Sequence, residues 1–190
     1  MRQSRKLARQ SVLSNVRNLT VAAMLVAMSV VIGAFCKTFL NFGLGLFRVT
    51  FENLPILLSG VLFGPIIGGL VGGASDLVSY LLSPQMYPPN LVVTAGAILV
   101  GVISGLMSHY VLRKPSILQI VLSCSTAHVV GSMIIKPIGL YQISGWAVLV
   151  RVPMYVVIAT IEILVICLLF RRRRFWRMIG GKTAQGKEDA

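Results

Sequence analysis

Apolar runs recur along the whole chain, and nothing else in the sequence restricts the fold as much. Six can be marked, at residues 19–36, 52–64, 66–83, 91–109, 117–137 and 147–170. A helix needs about 20 apolar residues to cross a hydrocarbon core of about 30 Å, and fewer where it is short or broken. The 190 residues are 56% hydrophobic and 12% charged, with a mean hydropathy of +0.84. In a soluble domain charged residues alone make up about a quarter. The chain therefore reads as an all-α integral membrane protein with six transmembrane helices.

The second run is the weakest. Leu54 to Ala74 could form one ordinary span, but Pro65 lacks an N–H and disfavours helix at the residue before it. The sequence predicts a short second helix, a tight turn in FGPIIGG and a separate third helix. Charge tests this division, because Lys and Arg in short flanks stay preferentially cytoplasmic. Of 18 basic residues, five lie in the head (Arg2, Arg5, Lys6, Arg9, Arg17), two in the SHYVLRKPS loop (Arg113, Lys114) and seven in the tail from Arg171 to Lys187. Those fourteen share one side of the membrane only if the spans number six. Both termini then face the cytoplasm, as a basic segment 1–18 and a basic tail 171–190 flanking a membrane domain 19–170. The net charge of +13 follows from this topology, and nucleic-acid binding is not needed to explain it. No convincing small-x-small site follows the first span, which is expected to be retained. Cys36, Cys124 and Cys167 form no CxxC pair and read as small packing residues.

Four bases remain: Lys37, Arg48, Lys136 and Arg151. All map to the outer ends of spans, against the positive-inside rule. Snorkelling explains any one of them, but explains the four together less well. Charges at membrane depth usually face a cavity, so the group suggests an anion site. Three acids accompany them. Glu52 either pairs with Arg48 at i,i+4, if the helix starts early, or lines the site. Asp76, midway along the third span, needs a partner from another helix or a ligand with paired donors. Glu162 lies deeper and reads as an interhelical contact. Phe47, Phe51, Tyr80, Tyr87, Tyr141, Trp146 and Tyr155 gather at the same outer end. An interfacial belt accounts for some of them. Tyr155 follows Arg151 by four residues, which sets both on one helix face.

Catalysis finds little support. GGKT at 180–183 lacks the rest of a phosphate loop, no GxSxG elbow occurs, and His109 and His128 have no metal-ligand spacing. His128 reads as a satisfied core histidine. Glycines 60, 64, 68 and 72 are expected to serve two helices that approach closely around the turn. Ala23 and Ala27 form a small-residue pair suited to internal packing or to a partner helix.

Over nearly its whole length the chain resembles the substrate-binding S components of energy-coupling-factor (ECF) vitamin transporters. Ala23-x-x-x-Ala27 matches their first-helix pair. Arg48 before LPILLSGVLFGP, GGASDLVSYLL with Asp76, HVVGSMIIKPIGLY with Lys136 and LVRVPMY with Arg151 resemble the folate-type members. The Leu-Pro and Phe-Gly-Pro pieces are shared with pantothenate and other vitamin relatives, whereas Lys136 and Arg151 favour folate. Where some members place a Lys-Gln pair after the arginine of the last helix, this chain has Val152, Pro153 and Met154.

The resemblance implies a high-affinity folate-binding subunit in a bacterial cell membrane, with six helices, both ends cytoplasmic, and no chemistry, cofactor or metal of its own. Ala23 and Ala27 would dock on a transmembrane coupling subunit powered by two cytoplasmic ATPases, the S component tilting within the lipid. Substrate contacts are expected from Phe47, Arg48, Asp76, Tyr80, Lys136, Trp146, Arg151 and Tyr155, with the loop from Lys37 to Phe51, between helices 1 and 2, closing over folate or a reduced folate. Arg48, Lys136 and Arg151 suit the glutamate dianion, and Asp76, Tyr155 and Trp146 the pterin, although the two ends could be exchanged. Pantothenate or thiamine is the alternative cargo. A small intramembrane enzyme using Asp76 and Glu162 as an acid pair is the alternative class.

Overall fold

The computed structural model describes residues 16–42, 47–82, 90–111, 117–145 and 147–171, with the backbone alone at 16–17, 41–42, 47–48, 140, 142–144 and 147–152. Most of the basic head and tail, the Arg113–Lys114 loop, Tyr87 and Trp146 lie outside the described residues.

Hydrocarbon offers no partner to an open backbone N–H or C=O, so an apolar chain closes these bonds within helices. Helix α1 spans Val16–Phe39, α2 Asn53–Phe63 and α3 Pro65–Leu82. Helix α4, Leu91–Leu106, continues through π-helical turns at Met107–Val111, and α5, Ile117–Ala127, through π-helical turns at His128–Ile135. Helix α6 covers Lys136–Ser144 and α7 Ala147–Arg171, the latter with Pro153 inside it. Between α1 and α2 lies a two-residue antiparallel ladder, β1 (Asn41–Phe42) against β2 (Phe47–Arg48).

Among the described residues, five helical stretches are long and apolar enough to cross a membrane: Asn18–Phe39, Pro65–Leu82, Leu91–Val111, Ile117–Gly139 and Pro153–Arg171. Helix α2 has 11 residues, about 16 Å at about 1.5 Å each, and eight of them are buried. It is thus enclosed by its neighbours rather than bathed in lipid.

The break at Gly64–Pro65 occurs where the sequence places it. Gly64 has φ 94° and ψ −178°, a region open essentially to glycine, and its N–H donates to the Gly60 carbonyl at 2.9 Å. Pro65 then opens α3, where a missing N–H costs nothing. The glycines, however, serve three helices and not two. A Cβ at Gly68 would stand 2.8 Å from the Gly60 Cα and collide with the Gly101 carbonyl of α4, and one at Gly101 would collide with Gly68 in return.

Ile56, Leu57 and Val61 of α2 meet Val71, Val100, Ile120, Cys124, Ile166 and Phe170 in the core. Outward faces are also apolar, with Leu70, Leu77 and Leu81 of α3 exposed while Ser59, Ser75, Ser79, Ser104, Ser123 and Ser132 are buried. Small hydroxyl residues inside and leucine outside is the pattern of helices packed in lipid. Asn90 caps α4, its side-chain oxygen accepting from the Val92 N–H at 2.9 Å and its amide donating to the Gly139 carbonyl at 2.7 Å. This ties the start of α4 to α6.

Candidate functional site

Five helix ends meet at one end of the bundle, and each brings a polar side chain. From the last turns of α1, Lys37 Nζ donates to Ser79 Oγ, near the end of α3, at 2.8 Å. Lys136, where the π turns of α5 pass into α6, donates to Asn53 Oδ1 at the start of α2 at 2.8 Å and lies 3.7 Å from Glu52 Oε1. The amide nitrogen of Asn53 reaches Ser132 Oγ at 3.5 Å, which turns its oxygen toward the ammonium. Thr94, in the first turn of α4, donates to Asp76 Oδ2 of α3 at 2.6 Å. Ser29 of α1 donates to the Glu52 carbonyl at 2.7 Å.

These groups surround a cavity lined by Ser29, Glu52, Ile56, Ser75, Asp76, Ser79, Ala97 and Lys136. Its volume is about 10 Å³, room for about one water. That space alone is too small for a vitamin-sized ligand.

Asp76 and Lys136 of the predicted site thus share one cavity. Tyr80 lies one turn beyond Asp76 on α3 and is half-buried, as is Tyr155 on α7. Phe47 and Arg48 sit on β2, which packs against α7, and Arg151 lies in the first turns of α7, the backbone alone being described at all three. Arg48 is a strand residue paired with Asn41, and α2 begins only at Asn53. Arg48 and Glu52 are therefore not an i,i+4 pair within one helix, and Glu52 lies 3.7 Å from Lys136. Asp76 does have a partner on another helix, the Thr94 hydroxyl.

Sequence reasoning missed Asn53, Ser79, Thr94 and Ser132 as parts of this network. Their residue types are common, and only the packing of α2, α3, α4 and α5 marks them. The acid pair Asp76–Glu162 does not form, since Glu162 is fully buried against His128, with Nε2 to Oε2 at 2.7 Å. That contact joins α5 to α7, as expected of an interhelical glutamate and a satisfied histidine. Among the described residues, no group of three His, Cys, Asp or Glu side chains could hold a metal ion.

On the outer surface, Ala23 and Ala27 lie exposed on α1. Ala23 lines an apolar groove with Leu19, Ala22 and Val26 of α1 and Ile67, Leu70, Val71 and Ala74 of α3.

The profile of the family described as ECF transporter, substrate-specific component, matches residues 17–180. The chain belongs to that family. It is accordingly a multi-pass membrane protein, the substrate-binding component of a transporter and not an enzyme. The S component is 28% identical over 113 residues to the folate transporter FolT of Clostridium novyi (strain NT), a stretch covering 58% of this chain and 62% of that protein. It is 33% identical over 100 residues to the uncharacterized protein MG098 homolog of Mycoplasma pneumoniae, covering 48% of this chain and 20% of that protein. The chain thus spans less than two thirds of either relative. Its fold is similar to the crystal structure of FolT bound with folic acid, with a TM-score of 0.64, 23% identity, and coverage of 81% of this chain and 92% of that one.

Proposed function

We propose that this S component captures folate or a reduced folate with high affinity at the extracellular end of its bundle and delivers it to an ECF module. The observation that carries the reading is Lys136, an ammonium buried among α2, α5 and α6 in a chain whose relative is a folate transporter. Buried ammoniums are costly unless they meet anions, and the glutamate end of folate supplies two carboxylates. Arg48 and Arg151, from β2 and α7, add to that anion contact. Asp76, Tyr80, Tyr155, Phe47 and Trp146 receive the planar pterin. The loop after α1, from Leu40 to Phe51 and not from Lys37, moves aside to admit the ligand and closes over it. Ala23, Ala27 and the groove beside α3 form the face for the transmembrane coupling subunit, which two cytoplasmic ATPases drive. The organisation is six spans, with a basic head 1–18 and a basic tail 171–190 on the cytoplasmic side of the membrane domain 19–170.

Two lining carboxylates, Glu52 and Asp76, favour a second reading in which a cationic vitamin such as thiamine is the cargo. Calorimetry on the purified chain with folate, pantothenate and thiamine separates the two. Folate binding supports the first reading, and thiamine binding without folate binding replaces it. In the folate case, Arg151→Ala weakens binding at least tenfold, about 1.4 kcal/mol. An unchanged affinity removes Arg151 from the site.

A further inference from the structure

Lys136 is already completed by an anion of the chain itself. Its side chain is 9% exposed, and the carboxylate of Glu52, itself 23% exposed, lies 3.7 Å from Nζ. The position of Glu52 is set by two residues on one face of α1, Ser29 and Gly33. The Ser29 hydroxyl holds its carbonyl at 2.7 Å. Gly33 leaves room for its carboxylate, since a Cβ there would stand 3.1 Å from Oε2. Asp76 lines the same cavity, but its Oδ2 takes the Thr94 hydroxyl, so the carboxylate at Lys136 is that of Glu52. The free space beside this pair is about 10 Å³, so within this cavity an organic anion meets Nζ in competition with Glu52.

We propose that Glu52 is an internal stand-in for the ligand's carboxylate, neutralising Lys136 in the closed pocket and exchanged for a ligand carboxylate on binding. This rests on the reading of Lys136 as an anion contact. The exchange makes Glu52 a specificity-determining residue. A neutral molecule cannot replace it at the ammonium, and an anion that does so must also bear the displaced negative charge nearby. Affinity for the right anion is thereby lowered, while binding of uncharged molecules is opposed more strongly, which is discrimination by an unfavourable element.

Glu52→Gln keeps the shape of the side chain and removes the competing charge, and Glu52→Met serves as a second replacement of similar length. With the full chain in lipid nanodiscs, folate titrations are expected to show affinity about two- to fivefold tighter than wild type in both variants, the range of a partly exposed ion pair. In a Lys136→Gln background the same substitutions leave affinity unmoved, because the ammonium they release is gone. Unchanged or weaker binding in the single variants overturns the proposal, the weaker case making Glu52 a direct ligand contact. A gain that persists without Lys136 also overturns it. A wild-type chain that binds no folate sinks the folate assignment, and the exchange falls with it.

Discussion

Lys136 carries more of the site than any other described side chain, because it is nearly buried and joins the start of α2 to the junction of α5 and α6. Truncating it to alanine removes the donor to Asn53 and the partner of Glu52 together. Folate affinity should drop at least tenfold, about 1.4 kcal/mol or more, in the titration that measures the wild type. His128 and Glu162 make the opposite kind of pair, buried against each other and not among the residues that line the cavity. With side chains 2% and 0% exposed, removing either one leaves a buried polar group stranded. Glu162→Ala alone is expected to cost about 3–5 kcal/mol of stability, whereas a His128→Leu, Glu162→Leu double replacement should recover most of it. Thermal unfolding in detergent distinguishes the two variants, and folate affinity measured below the transition should stay within a few-fold in the double replacement. At this scale the sequence revealed charges well and their partners poorly. Lys136 and Asp76 stood out because charge is rare in apolar runs, but Asn53 and Thr94 are unremarkable letters whose role comes from a neighbour 83 or 18 residues away.

Among the elements, the α2–α3 turn and its contact with α4 set where the site's side chains begin. Gly68 and Gly101 let α3 and α4 meet backbone to backbone, and a methyl group at either would collide with the other's carbonyl. Gly101→Ala should therefore destabilise the bundle by about 1–3 kcal/mol, as overpacking does, and displace Thr94 from Asp76 as α4 shifts. A fall in unfolding temperature together with weaker folate binding is the expected outcome. An unchanged unfolding temperature would mean that α4 moves aside freely. The glycine spacing at 60, 64, 68 and 72 was legible, as was the break at Pro65, because both rest on local geometry. The third helix in that contact was not legible, since nothing in a sequence says which of several glycine-bearing helices will meet. Nor were the π-helical turns from His128 to Ile135, which bring Ser132 to Asn53 and end at Lys136. Wider turns of this kind recur at functional sites, and they depend on tertiary contacts rather than on propensity.

For the whole molecule, everything turns on whether α2 counts as a crossing. Its 11 residues reach about 16 Å, roughly half of a hydrocarbon core of about 30 Å. Isolated in lipid it would fail to span. Enclosed by α1, α3, α4, α5 and α7, its ends need only reach the small polar cavity beside Lys136 on one side and the Gly64–Pro65 turn on the other. His109, at the far end of α4, lies against that turn with its ring nitrogen 3.0 Å from the Val61 carbonyl, while Asn53 opens α2 at the opposite end beside Lys136. The helix therefore runs between the two ends of the bundle. Counting it gives six crossings and puts the basic head and tail on one side, as the positive-inside rule requires. Reporter domains fused to each terminus should both be active only in cytoplasmic form, and a cysteine introduced in the Arg113–Lys114 loop should resist an impermeant thiol reagent applied from outside. One terminus outside would mean that α2 and α3 together make a single crossing. In that case Lys37, Arg48, Lys136 and Arg151 would lose their common extracellular address, and an outward-facing anion site would lose its physical basis.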